Sequence, residues 1–191
     1  MSIINVVGAK IWGGGEQYVY DICKQLQQRH RTAYILVDQS NEDMQSRYAQ
    51  VGHVMTANLY TLKGFLSVNA VAKQMKEQGI NTIVCHSGKY ILFCIALKQL
   101  TGAKLVFIKH NLVPGKTDIY HRWINAQVDA FVCVSKLVYD DLMTPAIKDT
   151  SKYHVVYNGI DPNRFQSFSD AVPMKYKVRT FGYSARITER K

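Results

Sequence analysis

The chain has 191 residues, of which 47% are hydrophobic. This is enough for one sizeable domain with room for a fragment of a second, and it excludes global disorder. The formal charge of +10 at pH 7 favours anionic partners, namely nucleotides, phosphorylated lipids, anionic membrane surfaces or nucleic acid. Charge alone does not choose among them, because a basic surface can also serve solubility only.

Short apolar runs alternate with helical patterns along the chain. We expect strands at residues 3–7, 33–37, 53–55, 82–85, 105–108, 130–134 and 153–157. We expect helices at residues 19–26, 41–50, 65–75, 90–100 and 119–128, and a further helix from residue 136, capped by Ser135. Continuous β-branched strands separated by helices predict an α/β fold, a doubly wound, Rossmann-like parallel sheet covered on both faces.

The character of the sequence changes after Tyr157. Residues 158–176 lack apolar periodicity and begin with a turn signature, so they are expected to form a linker behind a domain of residues 1–157. Residues 177–191 contain one strand-like run. Because a lone strand cannot form a domain, these residues either join the first sheet or open a second domain.

The four cysteines lie in apolar stretches and form no C-x-x-C pair; they are Cys23, Cys85, Cys94 and Cys133. This is typical of reduced thiols packed as small core residues, and neither a disulfide framework nor a zinc site is expected. The N-terminus has no signal-peptide pattern, and no apolar run approaches the roughly 20 residues of a membrane span. We therefore expect a cytoplasmic protein, for which peripheral contact with an anionic membrane stays open.

A glycine-rich segment, residues 8–15, follows the first strand. It fails the G-x-G-x-x-G pattern because Lys10 occupies the second glycine position, and it fails the P-loop pattern because Gly14 stands where Lys is required. A glycine turn before a helix still attracts phosphate or carboxylate through free N–H groups and the helix dipole. It also lets a ligand approach the backbone closely. A tight turn without a ligand is the alternative.

Two histidines directly follow predicted strands, His86 after residues 82–85 and His110 after residues 105–108. Ligands of doubly wound sheets bind beyond the carboxyl ends of the strands. There, neutral imidazole can hydrogen-bond a sugar hydroxyl or a carbonyl, and protonated imidazole can pair with phosphate. The alternative for each is a local hydrogen bond without function. The remaining histidines show no metal spacing, so no metal site is expected.

Several activity classes find no support in the sequence. It contains no helix-turn-helix, zinc-finger or RNP-like signature, so no nucleic-acid partner is expected. It also lacks a G-x-S-x-G elbow, an H-E-x-x-H pair and a Walker lysine. Hydrolase, zincin and P-loop functions are therefore not expected.

Four separated stretches resemble, in order, those of glycosyltransferase family 4. Residues 14–16 are similar to its G-G-x-E-type loop and residues 134–135 to its V-S segment. Residues 155–165, VVYNGIDPNRF, look like its N-G-[IV]-D interdomain stretch, and residues 181–191, FGYSARITERK, resemble its G-R-L-x-x-E-K-G element. The resemblance implies the GT-B fold, in which two Rossmann-like domains face a cleft. This sequence would supply the first, acceptor-side domain, the hinge and the opening strand of the second, donor-binding domain.

The resemblance also implies roles for individual residues. His110 would be catalytic, close to the transferring sugar, and Gly14 and Gly15 would lie beside the donor diphosphate. Arg186 and Lys191 match the basic pair that neutralises this diphosphate, because cations aimed at developing phosphate charge suit a diphosphate leaving group. With these cations present, neither a metal nor another cofactor is expected.

The implied reaction is retaining transfer of a sugar from a nucleotide-diphosphate sugar to a glycan or lipid-linked acceptor. Glu16 and His86 are expected to bind the acceptor. The sequence departs from the family at Ala185, where the glycine preceding the arginine of its second-domain element is usual, and at residues 29–31, Arg-His-Arg, where R-G-H is common.

The E-x7-E element of the family's second domain does not occur in this sequence, so residues 1–191 alone are expected to transfer no sugar. Two alternatives stay open. One is a GT-B-fold sugar-nucleotide epimerase, and the other is a non-catalytic Rossmann-like module that binds a phosphate or a protein.

Overall fold

The computed structural model of the protein describes residues 2–60, 64–143, 147 and 149–159. Residues up to Asn158 form one compact unit. In chain order its elements are β1 Ile3–Val7, α1 Gly14–Gln28, β2 Tyr34–Asp38, α2 Glu42–Tyr48, β3 His53–Ala57, α3 Gly64–Glu77, β4 Thr82–Cys85, α4 Ile91–Thr101, β5 Lys104–Lys109, α5 Ile119–Gln127, β6 Ala130–Cys133, α6 Lys136–Leu142 and β7 Tyr153–Val155. A single 3-10 turn, Gly88–Tyr90, leads into α4. Of the predicted linker at residues 158–176, only Asn158 and Gly159 are described, and the predicted strand at residues 177–191 lies outside the described residues.

The strands form one parallel sheet, which confirms the predicted doubly wound fold. Within the described residues the order is β3-β2-β1-β4-β5-β6-β7. The chain winds outward from β1 to β3 and then returns to place β4 on the other side of β1. The carboxyl ends of β1 and β4 therefore form a topological switch point, where open α/β sheets bind their ligands.

Helices cover both faces of this sheet. The helices α1 and α2 pack on one face through Val19, Cys23, Met44 and Tyr48. The helices α3 to α6 contribute to the larger cluster on the other face. All four cysteines are buried and free, as their apolar surroundings predicted. Among the described residues, no helix is long and apolar enough to span a bilayer.

Local capping sets several helix boundaries. The Ser135 hydroxyl accepts a hydrogen bond from the third residue of α6, as predicted, and Asn41 caps α2 in the same way. Gly102 adopts a left-handed φ of 72° and ends α4. The helix α1 is different, because the residue that precedes it is Gly13 and no side chain caps it. The open end of α1 lies beside the switch point.

Candidate functional site

The N-terminus of α1 exposes bare backbone. Its N-cap residue is Gly13, which supplies no side-chain hydrogen bond to the N–H groups of the first turn. Among the described residues, a Cβ added at Gly14 would meet nothing within 4 Å, and one added at Gly15 would meet first the Cδ2 atom of His110, at 4.0 Å. Neither glycine has a left-handed φ. The local fold therefore has room for a side chain at both positions and does not demand glycine there.

Two histidines and a buried asparagine form a chain of hydrogen bonds beside this helix end. His86 Nδ1 lies 3.0 Å from His110 Nε2, and the two rings are stacked with their centroids 5.3 Å apart. His86 Nε2 lies 3.1 Å from the Oδ1 atom of Asn5, a residue that is only 3% exposed. The three side chains come from β1 and from the ends of β4 and β5. The sheet thus assembles them at the switch point.

Burial keeps both imidazoles neutral. It lowers the pKa of His86 to about 3, with a smaller contribution from neighbouring His110. Burial likewise lowers the pKa of His110 below its usual range. The ring of Tyr18 on α1 packs against His110 in a T-shaped arrangement, with the two ring centroids 5.2 Å apart. A neutral pair suits hydrogen bonding to a hydroxyl or carbonyl and not the pairing of protonated imidazole with phosphate.

A separate open cleft of about 320 Å³ lies on the other side of the glycine segment, at the ends of β1 to β3. It is lined by Gly8, Ala9, Lys10, Asp38, Ser40, Asn41 and Tyr60. Burial raises the pKa of Asp38, but hydrogen bonds from Ser40 and Leu59 and the charge of Lys10 outweigh this effect, and the pKa is lowered overall. The cleft therefore presents a stable carboxylate with an ammonium group nearby.

The structure brings together three of the residues singled out in the sequence, namely Gly15, His86 and His110, with Gly14 exposed beside them. The charge of Glu16 reaches the cleft, since it raises the pKa of Tyr60 after the larger effects of burial and of Asp38. Both ring nitrogens of His86 have protein partners. Binding of the acceptor by Glu16 and His86 stays a prediction, as do the roles of the glycines and of His110.

Arg186 and Lys191 lie outside the described residues. Among the described residues, no cluster of three or more histidine, cysteine, aspartate or glutamate side chains could hold a metal ion. The predicted roles of Arg186 and Lys191 at the donor diphosphate are therefore still predictions.

Sequence reasoning missed Asn5, Tyr18 and the cleft around Asp38. A signal was present for Asn5, because it is the polar residue within the apolar strand IINVV. A polar side chain in a buried strand must find a hydrogen-bond partner. Tyr18 carried no such signal, since an aromatic residue early in an amphipathic helix is ordinary.

Solved structures show what the fold is similar to. A glycosyltransferase from Rickettsia africae ESF-5 matches with a TM-score of 0.74 and 19% identity, over 86% of this chain and 45% of that chain. HepE from Anabaena, in complex with UDP-glucose, matches with a TM-score of 0.68 and 19% identity, over 89% and 47%. UDP-GlcNAc 2-epimerase from Neisseria meningitidis, bound to UDP-GlcNAc, matches with a TM-score of 0.59 and 11% identity, over 83% and 47%.

At these identities the likeness shows the fold alone, which is that of the Rossmann-like first domain of GT-B proteins. The chain spans about half the length of these structures. A search among curated proteins found no match. The sequence model of Glycosyltransferase Family 4 matches residues 12–164, well over half of the chain. That segment begins in the glycine loop, contains both histidines of the pair and ends in the predicted hinge; the chain therefore belongs to glycosyltransferase family 4.

Proposed function

We propose that this chain is the acceptor-side half of a retaining glycosyltransferase, which moves a sugar from a nucleotide-diphosphate sugar to a glycan or lipid-linked acceptor. The observation that carries the proposal is the position of His110, a neutral imidazole beside the bare backbone of Gly15 at the switch point. The imidazole can hydrogen-bond a sugar hydroxyl. The helix end attracts the attached diphosphate. One nucleotide sugar would use both features.

Two sets of groups are assigned to the donor diphosphate, namely backbone N–H groups and basic side chains. The backbone N–H groups at Gly14 and Gly15 are one set, and the side chains of Arg186 and Lys191, as the family resemblance implies, are the other. As the sugar departs, negative charge grows on the phosphate oxygens, and fixed N–H groups and cations stabilise that charge. These groups would make a metal ion unnecessary. Since HepE is solved with UDP-glucose, UDP-glucose is the first donor to test.

The acceptor is assigned to the cleft that the charge of Glu16 reaches. The cleft offers the Asp38 carboxylate and the Lys10 ammonium. A carboxylate accepts and an ammonium donates hydrogen bonds, and a hydroxyl group can satisfy both. This supports a hydroxyl-rich acceptor such as a glycan. Acceptor binding by His86 would be indirect, through His110, since both ring nitrogens of His86 are already engaged.

Peripheral contact with the cytoplasmic face of an anionic membrane is part of the proposal. The helix α5 exposes Ile119, Tyr120 and Trp123 by 86%, 50% and 48%, with Arg122 among them in the sequence. Exposed aromatic and aliphatic side chains beside basic residues favour the interface of an anionic bilayer. Cosedimentation with vesicles of phosphatidylglycerol should exceed that with phosphatidylcholine, and Trp123→Ser should weaken it. The control is Leu137→Ser, which changes an exposed leucine on α6; equal loss in both variants would count against a site on α5.

The proposed activity is tested by transfer of radiolabelled glucose from UDP-glucose to glycan and lipid-linked acceptors. Residues 1–191 alone should give no product, and a polypeptide that continues through a family 4 second domain should give product. In that polypeptide, His110→Ala should lower transfer about 10- to 100-fold, the value of one or two hydrogen bonds. The control is His53→Ala, because His53 is an exposed histidine on β3.

Three outcomes would contradict this proposal. Turnover by residues 1–191 would show that the second domain is dispensable. An epimerised nucleotide sugar without transfer would favour the epimerase. Phosphate or protein binding without any turnover of a nucleotide sugar by the longer polypeptide would favour the non-catalytic module.

A further inference from the structure

We infer that Asn5 and His86 are positioning residues that place the proton of His110 on Nε2, so that His110 Nδ1 offers a lone pair to a substrate hydroxyl. The identity of that hydroxyl, a sugar or acceptor group, rests on the proposed function. The placement of the proton does not, because it follows from hydrogen bonds within the chain.

The argument begins at Asn5. Its side chain is buried on β1, which pairs with β2 on one side and β4 on the other. The amide nitrogen faces Cys23 Sγ at 3.9 Å, and the amide oxygen faces His86 Nε2 at 3.1 Å. An amide oxygen only accepts hydrogen bonds. His86 must therefore carry its proton on Nε2.

The next step follows from the neutrality of both rings. A neutral imidazole has one N–H donor and one lone-pair nitrogen. With its proton on Nε2, His86 has its lone pair on Nδ1, which lies 3.0 Å from His110 Nε2. His110 must donate across this contact, so its own proton is on Nε2.

The lone pair of His110 is then on Nδ1. Within the part of the chain that the structure describes, no group hydrogen-bonds this nitrogen, and the ring is only partly buried. The opposite edge of the ring, at Cδ2, faces the bare Gly15. The Nδ1 lone pair is therefore the hydrogen-bond acceptor that His110 can offer to a ligand hydroxyl, on the edge of the ring turned away from Gly15.

The reversed arrangement shows why Asn5 matters. Without its oxygen, His86 could carry the proton on Nδ1 and donate to His110 Nε2. His110 would then present an N–H group instead of a lone pair. The two histidines alone accept either direction, and the asparagine oxygen breaks the symmetry because the nitrogen that bears the proton is set by the partner of the other nitrogen.

The tautomers can be measured directly on residues 1–191. Long-range ¹H–¹⁵N correlation spectra of the imidazoles at neutral pH should show both His86 and His110 protonated on Nε2. Asn5→Leu should remove the preference and shift His110 toward the Nδ1-protonated form. The control is Cys23→Ala, which alters the other neighbour of Asn5 but leaves the oxygen on His86.

Transfer activity gives a second readout in the polypeptide with a second domain. Asn5→Leu should lower kcat about 10- to 100-fold, the range known for removal of groups that orient metal-ligating histidines. An Nδ1-protonated His110 in the unaltered chain would overturn the inference, whatever the activity. Unchanged tautomers in Asn5→Leu would overturn it too. Nε2-protonated rings without any transfer would instead leave the inference intact and contradict the proposed function.

Discussion

Replacing Gly15 with alanine tests why glycines precede α1. The added Cβ would lie 4.0 Å from its nearest neighbour, His110 Cδ2, an ordinary van der Waals distance. The φ of Gly15 is not left-handed, so no backbone strain is expected. Alanine is favoured over glycine within a helix by roughly 0.5–1 kcal/mol. The variant should thus be as stable as the parent chain or up to about 1 kcal/mol more stable.

Gly8→Ala is the matched control, because Gly8 belongs to the same segment but is tightly enclosed. Its added Cβ would lie 2.8 Å from the Tyr60 hydroxyl oxygen and 2.8 Å from the Tyr90 ring. Overpacking of this kind costs about 1–3 kcal/mol. For a chain of this size, 1 kcal/mol corresponds to a Tm change of about 2–4 °C. Gly8→Ala should therefore lower the Tm, and Gly15→Ala should leave it unchanged or raise it.

The assay has two parts. Thermal unfolding of residues 1–191, followed by circular dichroism, gives the Tm of each variant. Transfer by the polypeptide with a second domain should fall in Gly15→Ala despite its intact stability, because the methyl group covers backbone assigned to the diphosphate. If Gly15→Ala instead lowers the Tm as much as Gly8→Ala, the glycine serves the turn and the reasoning from open space fails. Full transfer activity would equally refute the need for close approach to the backbone.

Three further predictions concern stability. His86 has a pKa of about 3 in the folded chain against an ordinary 6.5. The stability that the neutral, buried ring supports is therefore fully present above pH 6.5 and is lost as the pH falls toward 3. Between pH 6.5 and 5 the free energy of unfolding should fall by about 2 kcal/mol because of this group. Urea unfolding of His86→Gln should show a fall that is smaller by about this amount. Equal falls in both proteins would contradict the lowered pKa of His86. Ser135→Ala removes the cap of α6 and should cost about 1 kcal/mol, visible as a lower Tm; an unchanged Tm would mean that the cap does not stabilise the helix. Asp129→Ala removes a carboxylate that lies 2.6 Å from Lys98 Nζ and accepts a backbone N–H at 2.8 Å, which should cost about 1–3 kcal/mol. The control is Asp43→Ala, which breaks an exposed pair on α2 and should change stability by less than about 0.5 kcal/mol; equal effects would argue against the Asp129 network.

Much of the fold could be predicted because its signals are local. The runs IINVV, YILVD and TIVC of β1, β2 and β4 are buried on both faces of a parallel sheet, and this burial is why they are almost continuously apolar. The cap at Ser135 depends only on the three residues that follow it. The 3-10 turn at Gly88–Tyr90 was not predicted, because one short turn before a helix leaves no periodicity to detect.

The candidate site was predicted less completely, because its contacts join distant parts of the chain. The positions of His86 and His110 after their strands placed both at one edge of the sheet, and strand order then made them neighbours. The partnership with Asn5 depends on strand pairing, which sets Asn5 level with Val84, two residues before His86. No spacing within the sequence encodes that register.

The sequence by itself determined the class of fold, the bare glycine segment ahead of α1 and the family, since these depend on local pattern and on motifs in order. Only the tertiary structure decided the chemical state of the site. Burial among packed side chains disfavours charged imidazole, and the oxygen of Asn5 orients the hydrogen bonds of the histidine pair. Both effects require residues far apart in sequence to be in contact in a buried site, and only the folded chain brings them into contact.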